Sequence, residues 1–354
     1  VKSVVKTPDG KLITGQYRSS FAIYHPDGTV TAKRLFKNDG ENSVFGLKNI
    51  DDCHILAVTS TRILSYNHCN DKIEKLYQYT EKPQTVYPSI QYNQGNYEMN
   101  LIGNTGSFLL NLYPDFRIDT ICFFPQDIVT TYFRINEQQF LIGTDNELFV
   151  YNTTSGERSK SIVKAWIKSI IFTSQQHYII ATTNGIYVLN KGLNLLLHIA
   201  LHNGLRDAFV YTVIEDHSGN YWLSHNKGLS CYDVGSQQFI HYDVQDGLQS
   251  NEFNTGAFYQ HEDGSLYFGG VNGVNQINPN VIFKNSEPPQ IAIHQIFVDD
   301  ELFETDSAVN EISCLILPYY RNTISLDFSA LDFSIPEKNR YAYFLSGVDK
   351  NWIL

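Results

Sequence analysis

Short apolar runs, each closed by a turn signal, follow one another along almost the whole chain, and no apolar stripe of helical period develops among them. The stretch 208–242 is the clearest. Val210 to Ile214 meets Asp216-His217-Ser218-Gly219, and Tyr221-Trp222-Leu223 follows. Asn226-Lys227-Gly228 then turns the chain into Leu229-Ser230-Cys231-Tyr232, and Phe239-Ile240-His241-Tyr242 closes the unit. This pattern predicts four short strands joined by tight turns. The same unit recurs over 2–25, 44–66, 128–151, 166–189 and 253–277, with a degenerate copy over 87–113. Each copy ends its second strand on one residue: Gly15, Val58, Gly103, Gly143, Ala181, Ser224 and Gly269. These anchors recur about every 42 residues, which is the period of a four-stranded propeller blade.

A sheet that is apolar on both faces must bury both against neighbours, and radial stacking does this while exposing only short edges. Seven copies therefore predict a seven-bladed ring. The small anchors fit a second strand crowded by its neighbours. The Asp-Gly and Asn-Gly pairs, including Asp39-Gly40, Asn203-Gly204 and Asp246-Gly247 between blades, supply the positive φ of tight turns. After Pro279 the pattern changes. Asn285-Ser286-Glu287-Pro288-Pro289 reads as a linker, and strands are expected at Ile291–Val298, Leu315–Leu317, Thr323–Phe328 and Tyr341–Leu345. The expected fold class is thus all-β: a seven-bladed β-propeller over 1–284, followed over 285–354 by part of a β-sandwich (Ig-like) module. That tail is shorter than the ~100 residues such a sandwich takes.

Composition narrows the function classes. Aromatic residues (3 Trp, 23 Tyr, 22 Phe) make up 14% of the chain and favour strands. Charged residues are only 18%, against long solvent-facing helices. The net charge of −11 repels phosphate backbones, so no nucleic-acid contact is expected. No apolar run approaches the ~18 residues of a membrane span. The sequence opens on Val1 without an initiator Met and reads as a piece of a longer chain. Its five cysteines (Cys53, Cys69, Cys122, Cys231, Cys314) are widely spaced and odd in number. They read as small buried apolar side chains, with one incidental disulfide left open for an oxidising compartment. No metal site is expected, because the 11 His residues are scattered without ligand spacing. No cofactor is expected either: Gly269-Gly270 and Gly273 precede no helix and make no phosphate loop. Glu215-Asp216-His217 and His261-Glu262-Asp263 occupy the same hairpin in successive blades, and a repeated position is a turn position.

Three stretches carry a resemblance. EDHSGNYWLSHNKGLSCYD (Glu215–Asp233) resembles the blade motif of the regulator-propeller repeats. YDVQDGLQSNEFNTGAFYQHEDGSLYFGGVNGVNQINP (Tyr242–Pro279) is similar to the last blade of that family. PPQIAIHQIFVDDE, followed by LPYYRNTISLDFSALDFSIPEKNRYAYFLSGVDKNWI (Pro288–Ile353), resembles the opening of the triple-tyrosine (Y_Y_Y) module. In this order they resemble the periplasmic sensor region of Bacteroides-type hybrid two-component system proteins. The resemblance implies an extracytoplasmic part of an inner-membrane protein, with a membrane helix and a histidine kinase downstream. It further implies an oligosaccharide ligand, a homodimer of the full sensor region, and no catalysis within this stretch.

The loops after the inter-blade turns lie where a propeller displays ligand contacts. They place Arg206, Asp207 and Phe209, and Glu252, on one face near the central opening, with Trp166 and Lys168 at the matching position of blade five and Tyr87 near that of blade three. Sugars stack their apolar faces on aromatics and hydrogen-bond to charged and amide groups, so these seven residues are the candidate ligand contacts. A propeller glycosidase or lyase is the competing enzyme reading and needs paired carboxylates. The inner-strand positions equivalent to Tyr211 are Lys2, Phe45, Ile90, Thr130, Lys168 and Gly256, none of them acidic. A protein-binding scaffold is the third reading.

Overall fold

The computed structural model describes residues 1–354 apart from 18–19, 37–42, 60, 79–87, 104–105, 282–288, 306–307, 332–340 and 354. Asp39-Gly40, Tyr87 and the expected boundary at 284/285 lie outside the described residues. The chain divides into two units, Val1–Ile282 and Phe283–Leu354.

The first unit is a seven-bladed β-propeller made of antiparallel sheets whose strands pair in chain order. Blade one holds β1 (Ser3–Lys6), β2 (Leu12–Gln16), β3 (Ser20–Tyr24) and β4 (Val30–Arg34). Blade two holds β5 (Val44–Asn49), β6 (His54–Thr59), β7 (Arg62–Asn67) and β8 (Lys72–Gln78). Blade three holds β9 (Ile90–Asn93), β10 (Asn96–Gly103), β11 (Gly106–Leu112) and β12 (Ile118–Phe124). Blade four holds β13 (Val129–Arg134), β14 (Gln139–Thr144) and β15 (Leu148–Asn152). Its outer position is taken by a segment bridged to β15 at Val163 and Arg158. Blade five holds β16 (Ile167–Phe172), β17 (His177–Thr182), β18 (Gly185–Asn190) and β19 (Leu195–Ile199). Blade six holds β20 (Val210–Glu215), β21 (Tyr221–His225), β22 (Gly228–Asp233) and β23 (Gln238–Tyr242). Blade seven holds β24 (Phe253–Gln260), β25 (Leu266–Gly270) and β26 (Gly273–Ile277).

The core lies between blades. Second strands are buried on both faces: all five residues of β21, Tyr221 to His225, are buried. Six apolar clusters fill six of the seven seams, from Val5, Phe21 and Leu64 between blades one and two to Trp222, Leu229 and Phe268 between blades six and seven. The seventh seam closes the ring differently. The Val1 nitrogen donates to the Gly270 carbonyl (2.9 Å), Asn254 Nδ2 donates to the Val1 carbonyl (2.9 Å), and Lys6 pairs with Asp263 (3.4 Å).

The small anchors have a steric cause. A Cβ added to Gly143 would lie 2.6 Å from Ile167 Cγ2 of the next inner strand. One added to Gly15 would lie 2.5 Å from the Val44 carbonyl oxygen, and one on Gly269 2.6 Å from Val1 Cγ1. In blade two the anchor is Val58, and the small residue has moved onto the inner strand: a Cβ on Gly46 would meet Ile90 Cδ1 at 2.7 Å. The inter-blade turns at Gly204 (φ 94°) and Gly247 (φ 93°) adopt the left-handed conformation. The turn reading of the repeated acidic hairpin also has a physical basis. Asp216 accepts from the backbone of Ser218 and Asn220 and from Trp222 Nε1 (2.9 Å), so it locks the hairpin to its own second strand.

Two expectations are corrected. The five cysteines are not all free: Cys53 and Cys69 form a disulfide across the ends of the β6–β7 hairpin, Cys122 and Cys231 are buried thiols, and Cys314 is exposed. The antiparallel register pairs His54 with Asn67, which carries the flanking cysteines toward each other. In the second unit, β27 (Ile291–Val298) is the middle strand between β28 (Glu301–Leu302) and β29 (Ile324–Ala330). The strands expected at Leu315–Leu317 and Tyr341–Leu345 do not form, and Tyr343 keeps one bridge to Ile353. Ile296 and Val298 are buried there, whereas Ile316, Tyr319 and Trp352 are exposed. Among the described residues this unit has a single layer of sheet, so these apolar runs have neither a strand to pair with nor an opposite face to pack on there.

Two stability experiments follow. Gly143→Val drives two branches of side chain into Ile167 and should cost about 1–3 kcal/mol in urea unfolding, whereas Gly235→Ala, whose Cβ meets nothing closer than 3.4 Å, should stay within about 0.5 kcal/mol. Replacing Cys53 and Cys69 by Ser opens a loop with a sequence separation of 16 and should cost about 3 kcal/mol, the same loss that reductant produces in the unaltered protein.

Candidate functional site

Inner strands in this ring share a local irregularity. The pairing register shifts between Val44 and Gly46, Val129 and Thr131, Ile167 and Ser169, and Val210 and Thr212. The residue left over in each case is Phe45, Thr130, Lys168 or Tyr211. A bulge leaves one residue outside the ladder and re-aims its side chain. Phe45, Thr130 and Lys168 line a cavity of about 320 Å³ on the ring axis, walled by the inner strands of blades one to five and seven.

At the blade five and six side of this opening the structure gathers Trp166, Lys168 and Phe209. Lys168 Nζ lies 3.3 Å from the Trp166 ring centroid and 4.8 Å from that of Phe209. Trp166 meets Phe209 edge-on at 6.4 Å, and Phe209 meets Tyr211 at 4.9 Å. The Tyr211 hydroxyl donates to Asn226 Oδ1 (2.7 Å). Trp166 keeps 42% of its surface exposed, so the group forms an aromatic rim with one indole face covered by an ammonium. Burial pulls the Lys168 amine down to about 8, although the ring faces favour its charged form.

The other expected residues fall out differently. Asp207 already has both carboxylate oxygens engaged, one by the Phe209 amide (3.0 Å) and one by the Asn226 amide (3.2 Å), so it shapes the loop that presents Phe209. Arg206 Nη1 donates to Asp243 Oδ2 (2.9 Å), and buried Asp243 in turn caps the short turn Val244–Asp246. The guanidinium therefore ties one inter-blade turn to the next. Glu252 is exposed in the loop before β24, its carbonyl accepting from the Val271 amide, and it makes no described contact with the rim. Tyr87 lies outside the described residues.

Sequence reasoning did not single out Asn226 or Lys48. The alternation of β5 would have placed Lys48 on an inner strand, but nothing in the sequence says that no acid would face it. A second cavity, of about 340 Å³, lies on blades two and three beside the disulfide, lined by Tyr92, Tyr97 and Tyr113 and by His54 between Asp51 and Glu74. His54 contacts Asp51 and Glu74 at 2.8 Å each. Burial opposes its charge, but the two carboxylates outweigh this and raise its pKa. These polar groups are bonded to one another, and Asp51 also accepts from the backbone of Cys53 and His54, so the cluster braces the hairpin base. Among the described residues, no group of three or more His, Cys, Asp or Glu side chains is placed to hold a metal ion, and no helix is long and apolar enough to cross a membrane.

No family model matches the sequence. The chain is 31% identical over 160 residues to a protein named histidine kinase P4 from Formosa agariphila, an alignment covering 43% of this chain and 12% of that protein. The chain thus spans about an eighth of the relative's length. Its fold is similar to the extracellular domain of a protein from B. thetaiotaomicron described as a one-component system (TM-score 0.58, 16% identity, 84% of this chain and 42% of that one). It is similar also to virginiamycin B lyase from Staphylococcus aureus (TM-score 0.60, 12% identity, 78% of this chain and 93% of that one). In sequence the chain therefore resembles that histidine kinase over the aligned stretch. The likenesses to the extracellular domain and to the lyase are both of fold alone.

The lowered Lys168 pKa has a measurable signature. Its folded value, about 8, lies below the 10.5 of a free lysine, so the charged amine weighs against the fold at neutral pH. The unfolded state binds the extra proton between those values, and stability from this group rises over that window. Tryptophan emission should therefore titrate near pH 8 in the native protein and lose that inflection in Lys168→Met. The same variant should unfold at a higher temperature than the parent at pH 7, and an unchanged titration would place the amine elsewhere.

Proposed function

We propose that this chain is part of the extracytoplasmic sensing region of a two-component signalling protein, and that it binds an oligosaccharide at the Trp166–Phe209–Tyr211 rim. The observation that carries this reading is the rim itself. It is a half-exposed aromatic surface at the mouth of an axial cavity, held by a loop that Asp207 fixes from below. Such a surface suits the apolar face of a pyranose ring, with Asn226 and the lysine beside it for hydroxyls. The free face of Trp166 takes the sugar, because Lys168 covers the other.

Sequence similarity to a histidine kinase supports the signalling role. The Cys53–Cys69 disulfide supports an oxidising compartment, in keeping with a periplasmic location. Signal transfer then requires that the ligand bind two arrangements of a dimeric sensor with different affinity, and that the difference pass through a downstream membrane helix to the kinase. The axial cavity carries no Asp or Glu in its described lining, so the paired carboxylates of a glycosidase find no place there, and we read the chain as a binding module without catalysis.

The test is calorimetry against a panel of oligosaccharides. Binding of one class should weaken about tenfold or more in Trp166→Ala and in Phe209→Ala, as loss of an aromatic anchor does, with circular dichroism unchanged. A ligand that binds equally well to both variants would remove the rim from the account.

A further inference from the structure

The axial cavity is unusual in its charge. Its described lining includes two lysines, Lys168 from β16 and Lys48 from β5, and no carboxylate. Lys168 rests on two aromatic rings and has no acidic partner among the described residues. Lys48 has neither a ring nor an acid there, and burial alone lowers its pKa. The other titratable group in the lining, Tyr259, is pushed toward its neutral form chiefly by burial. In a chain of net charge −11, acids are abundant, yet among the described residues none lines the cavity beside this pair. Both lysines are half-buried; an ammonium partly removed from water without a counter-charge is costly, and two of them lining one cavity focus a positive potential there.

Position along the strands adds direction. Lys168 is the bulged residue near the start of β16, equivalent to Phe45 at the start of β5, so Lys48 lies three residues further along the inner strand. A ligand entering past the rim meets Lys168 first and Lys48 deeper in. The cavity of about 320 Å³ is at the lower end of ligand pockets, enough for one sugar unit and its charged substituent.

We propose that the axial channel is an anion-binding site for an acidic sugar, whose carboxylate or sulfate group is held between Lys168 and Lys48. This rests on the sensing reading for the sugar but not for the anion. An oxyanion there forms charge-assisted hydrogen bonds to both amines and relieves the desolvated charge. The neutral part of the ligand lies on the Trp166–Phe209 rim, so one ligand spans both.

The experiment separates the two readings. Calorimetry at fixed ionic strength is run on the 354-residue chain with glucuronate, inorganic sulfate and glucose, and then with uronate, sulfated and neutral oligosaccharides. The proteins are the parent, Lys48→Met, Lys168→Met and the double variant. The expected result is binding of glucuronate or sulfate, with glucose at least tenfold weaker, a loss of about tenfold in each single variant, and no detectable anion binding in the double variant. The uronate and sulfated arms identify which acid is taken. Because each substitution removes an uncompensated charge, all three variants should remain folded, and either single variant alone suffices. Equal anion binding by parent and double variant, or neutral oligosaccharides binding as tightly as acidic ones, overturns the channel site while leaving the rim standing. Lysine-dependent binding of the free anions with no oligosaccharide bound supports the channel and overturns the sugar-sensing reading. Absence of all binding overturns both.

Discussion

Everything in the propeller depends on how closely an inner strand can approach the second strand of the preceding blade. Gly15 lies against Val44, Gly143 against Ile167 and Gly269 against Val1, at distances that leave no room for a Cβ. That approach lets each sheet bury both faces, which no isolated four-stranded sheet can do. Where the second strand carries a larger residue, Val58, the space is recovered on the inner strand at Gly46. At these four seams the requirement is for a small residue on one strand, not for glycine at a set position; a Cβ on Gly103 would first meet Phe108 and Gly106 of its own blade.

The same inner strands supply the chemistry. In blades two, four, five and six a bulge near the strand start frees one residue from the ladder, and the fold tolerates widely different side chains there: Phe45, Thr130, Lys168 and Tyr211. Architecture and recognition are separated at the level of single residues. The anchors are set by steric crowding, whereas each bulged residue is re-aimed by backbone geometry and then finds contacts of its own, such as Thr130 Oγ1 with the Ile167 carbonyl and Tyr211 with Asn226.

How much of this was legible in the sequence follows from that separation. The blade period and the anchors could be read because steric crowding repeats with the chain. The equivalence of Phe45, Thr130, Lys168 and Tyr211 could be read for the same reason. That Trp166 and Phe209 occupy matching positions of adjacent blades could be read from the repeat, whereas their edge-on contact could not. What could not be read depends on contacts without a period. Arg206 finds Asp243 37 residues away, both oxygens of Asp207 are taken by backbone amides, and Cys53 meets Cys69 only through the hairpin register. In the second unit, local hydrophobicity at Leu315–Leu317 and Tyr341–Leu345 suggests strands, but a strand needs a neighbour, and none pairs with them among the described residues.

The joint between blades seven and one is of a different kind from the rest. Six seams are filled by the large buried apolar clusters, while this one adds to the close contact of Val1 with Gly269 the bonds of the Val1 backbone, the Asn254 amide and the Lys6–Asp263 pair. Water can substitute for such bonds, whereas it cannot substitute for packed side chains. The circle therefore has a clasp. Local opening of the ring is easiest to begin where water can take the place of the fastening, between β1 and β24.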